Sequence, residues 1–168
     1  MASDHGAAAP RNSLQRILAL GFCLALVFAV SALGSLATFP KILTWYASLA
    51  KPWFNPPASV FGPVWTFLYL LMAVAAWRVW LRPASAARRT ALTWFSIQLA
   101  LNAVWSPIFF GLEQPRIAFA VIVVLVLAIA ATFIRSLAVD RLAAWMLIPY
   151  LTWVAFATVL NGAIVALN

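Results

Sequence analysis

Polar residues fall at few places along this chain, and between them lie apolar runs long enough to cross a bilayer. Five runs stand out, at about 14–39, 61–81, 90–110, 115–137 and 142–167. Each approaches or exceeds the roughly 20 residues that a spanning helix requires. The punctuation between them suits helix ends. Arg78, Arg82 and Pro83 close the second run, and Arg88 and Arg89 precede the third. Gly111 and Pro115 separate the third from the fourth, with glycine past a helix end and proline just inside the next start. Arg135, Asp140 and Arg141 mark a tight turn before the fifth. The period-two alternation of a transmembrane barrel is missing, no internal repeat is visible, and an odd number of spans disfavours an inverted-repeat transporter. The pattern predicts an all-α membrane protein, a five-transmembrane-helix bundle over residues 14–168 behind a disordered polar tail at 1–13. A signal peptide is the alternative for the first run, with small residues near Ala32 and Gly34 resembling a cleavage site. That run is longer than the roughly 7–15 residues of a signal core, which favours a retained helix.

The first connection differs from the others. WYASLAKPWFNPP, beginning at Trp45, carries Trp53, Pro52, Pro56 and Pro57 and runs straight into the second helix. Proline fixes φ and disfavours helix just before itself. This proline/tryptophan-rich first loop is therefore stiff and aromatic, a poor linker that suits a lid.

Composition agrees with the membrane assignment. Hydrophobic residues make up 66% of the 168, and the mean hydropathy is +1.01, leaving too little polar surface to cover a water-soluble globule. At 18.3 kDa the chain has room for one bundle and no separate soluble domain. The net charge of +8 would suggest nucleic acid in a soluble protein. Here the basic residues sit at the ends of apolar runs, so no nucleic-acid partner is expected. Arg11, Arg16, Arg78, Arg82, Arg88, Arg89, Arg135 and Arg141 fall on one side of the predicted topology, against Lys41, Lys51 and Arg116 on the other. The positive-inside rule then places the N-terminus in the cytoplasm and the first loop on the opposite side, and the short chain with its basic flank fits a bacterial inner membrane.

The same counts exclude much chemistry. Asp4, Glu113 and Asp140 are the only acidic residues and all lie outside the apolar runs. A proton relay or carboxylate-bridged metal site has no residues to build it. Cys23 is the lone cysteine and His5 the lone histidine, so an intrachain disulfide and a bis-histidine haem or zinc site are ruled out. No metal ligand set and no obligatory cofactor are expected.

Three of the five runs each carry a polar-aromatic face. Asn102, Trp105, Ser106 and Phe109 recur at i, i+3, i+4 and i+7 on the third. Trp65 and Tyr69 are i, i+4 neighbours on the second, and Trp153, Ala157 and Asn161 repeat every four residues on the fifth. An amide in hydrocarbon needs a partner, so these faces should point inward. Pro107 would free a carbonyl and bend the third helix beside its face. Under the Trp45 loop they would line an apolar pocket with a few polar anchors, suited to a flat hydrophobic ligand. The plainer reading stays beside it: tryptophans near helix ends, such as Trp45, Trp53, Trp80 and Trp94, serve as interfacial belt residues. A buried Asn102 serves equally as an interhelical hydrogen bond.

WYASLAKPWFNPP followed by VFGPVWTFLYLLM, then QLALNAVWSPIFFG, then IPYLTWVAFATVLN, resembles the tryptophan-rich sensory protein or translocator protein family (TspO/MBR), the peripheral-type benzodiazepine receptor family. The resemblance spans about residues 45–161 in three ordered blocks. It implies a five-helix bundle, commonly a homodimer in the lipid bilayer, that binds porphyrins and benzodiazepine-site ligands. Carried onto this sequence, it implies a pocket of Tyr46, Pro56, Trp65, Tyr69, Asn102, Ser106, Phe109, Trp153 and Ala157, to which the faces and loop add Trp105 and Pro57. Ser106 stands where some members have a larger polar residue. Animal members follow ATVLN with a tyrosine and a basic residue, whereas here Gly162 to Asn168 supply neither. The sequence therefore gives cholesterol binding no support.

Three functions follow from the resemblance. The first is a sensor or regulator that binds protoporphyrin IX or haem between the second, third and fifth spans, by the macrocycle face and carboxylates without axial ligation. The second is a light- and oxygen-dependent porphyrin-degrading enzyme in which Trp65 and Trp153 would be the catalytic pair. The third is a porphyrin or lipid transporter, against which stands the lack of intramembrane charge. Binding without catalysis is the expected role.

Overall fold

A computed structural model describes residues 12–168; the predicted tail lies almost entirely outside the described residues. Helix α1, Ser13–Ile42, opens on a reciprocal cap. The Asn12 side chain accepts from the Gln15 amide at 2.8 Å while the Gln15 side chain accepts from the Asn12 amide at 3.2 Å, satisfying two of the donors a helix start leaves free. Within the first loop lies a single helical turn, α2, Trp45–Ser48. Helix α3 spans Ala58–Leu81 and α4 spans Ala86–Ser106, the latter capped by Ser85 accepting from the Arg88 amide at 3.1 Å. Helix α5 covers Pro115–Leu137, α6 covers Arg141–Trp145 and α7 covers Ile148–Leu167. No strand occurs among the described residues. The protein is a helical membrane protein.

Two prolines reshape the expected spans. At Pro107 the ladder cannot continue, because proline has no N–H for the carbonyl one turn back. A π turn, Pro107–Gly111, takes over, with the Leu112 amide donating to the Pro107 carbonyl at 2.9 Å. At Pro149 the same deficit falls about two turns into the predicted fifth span. That span is accordingly split into α6 and α7, joined through Met146 and Leu147.

Where the sequence pattern predicts five spans, four helices among the described residues are long and apolar enough to cross a membrane: α1, α3, α5 and the α6–α7 pair. The α4 helix falls short. It starts at Ala86 rather than at 90 and carries Arg88, Arg89, Thr90, Thr93, Ser96, Gln98 and Asn102. Its polar residues are partly absorbed by packing, with Gln98 and Asn102 both buried.

The core is built on close approach. Helix α4 packs most extensively against α5, α1 against α3, and α5 against α7. Ala73, Ala75, Ala76, Ala91, Ala128, Ala143 and Ala144 are all buried, as expected where small side chains let helices approach in a bilayer. By contrast the α3 and α7 backbones approach at few points, and the two helices meet through aromatic side chains. Val27 is the only fully buried residue of α1, whose exposed Leu, Ile and Phe side chains suit a lipid-facing helix.

Candidate functional site

The centre of the site is one buried amide shared by two phenols. Asn102 lies one turn before the end of α4, and its Oδ1 accepts from the Tyr69 hydroxyl of α3 at 2.8 Å. Its Nδ2 donates to the Tyr150 hydroxyl of α7 at 3.0 Å. The three residues are 7%, 5% and 0% exposed. An amide in an apolar bundle is costly without partners, and here both of its ends are satisfied by neighbouring helices. Asn102 is thus an interhelical clasp in this structure, the plainer of the two readings its position allowed.

Aromatic rings flank the clasp. Trp65 lies one turn from Tyr69 with ring centroids 5.3 Å apart, and meets Tyr150 edge-on at 6.3 Å. Trp153 engages different rings, Phe61 at 5.8 Å and Phe156 at 5.6 Å. A shallow, open groove of about 580 Å³ lies between α3 and α7, walled by Pro56, Val64, Leu68, Pro149, Trp153 and Phe156. Its volume lies in the roughly 300–1,000 Å³ range of small-molecule sites, and its lining is almost wholly apolar.

The expected third-helix face divides. Asn102 turns to α3 and α7. Trp105 stacks on Phe109, with centroids 5.1 Å apart and planes at 23°, in a second aromatic cluster with Trp45, Tyr46 and Phe110. The Trp105 indole N–H is buried with no partner among the described residues. Ser106 lies against α1, where a Cβ on Gly34 would come within 3.4 Å of its hydroxyl. The i, i+3, i+4, i+7 spacing placed these four on one stripe, but that stripe is wide enough to meet different neighbours along its length, and only Phe109 lies within the π turn. Ala157 packs against the main core. Asn161 faces elsewhere, donating to the Pro115 carbonyl at 3.0 Å.

The first loop is tied down from several sides. Tyr46 donates to Asn55 Oδ1 at 2.9 Å, and Lys51 Nζ sits 5.0 Å over the Tyr46 ring. Lys41 of α1 pairs at 2.7 Å with Glu113, which has φ 56° in the turn before α5. The Asn168 side chain both accepts from the Ala50 amide and donates to the Ala50 carbonyl, each at 3.0 Å. Pro57 is the residue that caps α3, and Pro56 forms the loop edge of the groove.

Tyr150 escaped the sequence reading, although Tyr150, Trp153 and Ala157 follow i, i+3 and i+7 on one face. Phe61 and Phe156 escaped it too, because phenylalanine in an apolar run carries no signal above background. No group of three or more His, Cys, Asp or Glu that could hold a metal occurs among the described residues.

A family model described as the TspO/MBR family matches residues 22–167. A "Tryptophan-rich protein TspO" of Archaeoglobus fulgidus is 38% identical over 152 residues, 90% of this chain and 98% of that protein. A "Tryptophan-rich sensory protein" of Cereibacter sphaeroides is 41% identical over 142 residues, 83% of this chain and 88% of that protein. A human "Translocator protein" is 40% identical over 145 residues, covering 85% of each chain.

Proposed function

Because this chain belongs to the TspO/MBR family, we propose that it is a membrane sensor or regulator that binds a tetrapyrrole such as protoporphyrin IX beside α3, α4 and α7. One observation carries the reading. The groove between α3 and α7 presents Trp153 on its wall and Pro56 at its loop edge, so a flat ligand would lie against an indole beneath the loop. Leu68 also lines it, and Tyr69, next in sequence, begins the Asn102 clasp. The clasp supplies the polar anchor behind the apolar wall, and a ligand carbonyl or carboxyl reaching Asn102 would exchange one of its phenol partners.

Aromatic faces favour stacking with a π-surface, which makes the macrocycle the recognised part. The protein offers no histidine within the membrane, so iron adds nothing to recognition. Trp153 is the indole on the groove wall, whereas Trp65 lies beside the clasp against Tyr69 and Tyr150. We place the N-terminus and the arginine-rich connections on the cytoplasmic side of a bacterial inner membrane.

Binding in the dark of iron-free protoporphyrin IX and of haem to the purified protein tests this. Comparable affinities are expected. Iron-free porphyrin binding far more weakly than haem would overturn recognition by the macrocycle face.

A further inference from the structure

One end of the bundle holds a surplus of positive charge organised around a single buried carboxylate. Asp140, 4% exposed, accepts from Arg78 Nη2 at 3.1 and 3.2 Å and from Arg82 Nε at 2.9 Å, with a further contact to Arg82 Nη2. Its Oδ1 also caps α6 by accepting from the Ala143 amide at 3.0 Å. Arg88 turns back onto the end of α3, donating to the Trp80 and Arg82 carbonyls at 3.2 and 2.8 Å. The Trp77 indole donates to the Arg16 carbonyl at 2.9 Å, which brings the start of α1 to the same end. Exposed Arg16, Arg89, Arg135 and Arg141 surround this hub. Among the described residues no carboxylate pairs with any of the four.

The opposite end is different. There Lys41 is neutralised by Glu113 and Lys51 donates to the Ala47 and Leu49 carbonyls, which leaves Arg116 as the one exposed arginine at that end among the described residues. The asymmetry exceeds what an insertion signal needs, since flexible arginines in a loop would orient the chain as well. Here Asp140 instead fixes the end of α3 to the α5–α6 turn, and it is the only acidic side chain among the described residues at that end. The first turn of α4 compounds the imbalance: it carries Arg88 and Arg89 and no acid, although the start of a helix favours negative charge.

We propose that this arginine end binds the headgroup of an anionic phospholipid, with the phosphate held by Arg89, Arg135 and Arg141 at the rim of the Asp140 hub. Charge complementarity selects the partner. At the edge of a bilayer the abundant anion at this height is a lipid phosphate, and guanidinium recognises phosphate in a fixed forked geometry. The hub keeps the α3 and α5–α6 ends together, so the backbone segments that carry Arg89, Arg135 and Arg141 are held at one end of the bundle.

The test titrates phosphatidylglycerol into the purified full chain in zwitterionic detergent, with phosphatidylcholine as reference, and counts bound lipid by native mass spectrometry. Wild type should retain phosphatidylglycerol in preference to phosphatidylcholine. Substituting Arg89, Arg135 and Arg141 together by Gln should weaken it by roughly fivefold per arginine, the factor matching about 1 kcal/mol for a basic residue at an anionic leaflet. Arg116→Gln, at the other end, should leave it unchanged. High salt should reproduce the loss in wild type without any substitution. Equal retention of the two lipids by wild type, or an undiminished preference in the triple variant, overturns the proposal. Equal loss in Arg116→Gln overturns the location. Displacement by free glycerol phosphate at matching concentration would reassign the site to a soluble anion.

Discussion

Removing the amide of Asn102 tests whether the clasp holds three helices together. Asn102→Ala deletes two hydrogen bonds, of 2.8 and 3.0 Å, and leaves the Tyr69 and Tyr150 hydroxyls buried without partners. Stranding a buried polar group in a soluble protein costs about 1–3 kcal/mol. In a bilayer the reference state also finds partners, and interhelical hydrogen bonds average only about 0.6 kcal/mol, with about 1.7 as the upper end. The membrane figure governs here, because α3, α4 and α7 stay in the bilayer when they separate. Two bonds then give about 1–3 kcal/mol. Tyr150→Phe alone keeps its ring packing and leaves Asn102 bonded to Tyr69, so it should cost about 0.6–1.7 kcal/mol. Equilibrium unfolding in a mixed-micelle denaturant titration reads both. The decisive comparison repeats Asn102→Ala in a Tyr69→Phe, Tyr150→Phe background, where its cost should shrink by about 1 kcal/mol or more. An unchanged cost in that background would refute the clasp.

Other expectations follow from the same coordinates. Burial alone would raise the Asp140 pKa, but the Ala143 amide and the Arg82 and Arg78 guanidiniums outweigh it and hold the carboxyl below its usual value. A depressed folded pKa means this stabilisation is complete above the ordinary value of about 3.9 and is lost as pH falls through the folded value. The thermal midpoint in nanodiscs should therefore drop in acid for wild type and drop less for Asp140→Asn, which starts lower. Asn168→Ala removes the two bonds to Ala50; at about 1 kcal/mol, hydrogen exchange of the Ala50 amide should accelerate roughly fivefold while core amides of α4 stay unchanged. Gly162→Ala places a Cβ 3.0 Å from Phe119 Cε2 and should destabilise by about 1 kcal/mol, the low end for overpacking because that ring can swing outward. Gly21→Ala, within α1 and with no proline beside it, meets nothing within 4 Å and should stabilise α1 by about 0.5–1 kcal/mol in the same unfolding assay.

Hydrophobic pattern carried most of the architecture, because in a bilayer the backbone has few options besides helix. It could not show where α6 gives way to α7, since that break depends on a missing N–H at Pro149 and leaves the run apolar throughout. The winding change at Pro107 was anticipated as a bend but not as a π turn; Asn102 and Ser106 both precede it in regular helix, and they differ because Asn102 meets the tyrosines while Ser106, one turn on, meets Gly34 of α1. Periodicity assumes 3.6 residues per turn and fails where the ladder changes. Asn102 was legible as a residue needing a partner; which partner depended on Tyr150, whose hydroxyl meets it only through the approach of α7 to α4. The fixation of the loop by Asn168 joins residues 118 apart in sequence, and no local pattern encodes such a contact.

The central claim is that a porphyrin lies against Trp153 in the groove between α3 and α7. Dark titration of the purified protein with protoporphyrin IX, following tryptophan fluorescence, tests it in three proteins: wild type, Trp153→Leu, and Trp53→Leu, whose indole in the first loop is 95% exposed. Saturable quenching that weakens markedly only in Trp153→Leu is the predicted result. Quenching that never saturates and is equal in all three proteins would mean the porphyrin partitions into the micelle, and would contradict the account.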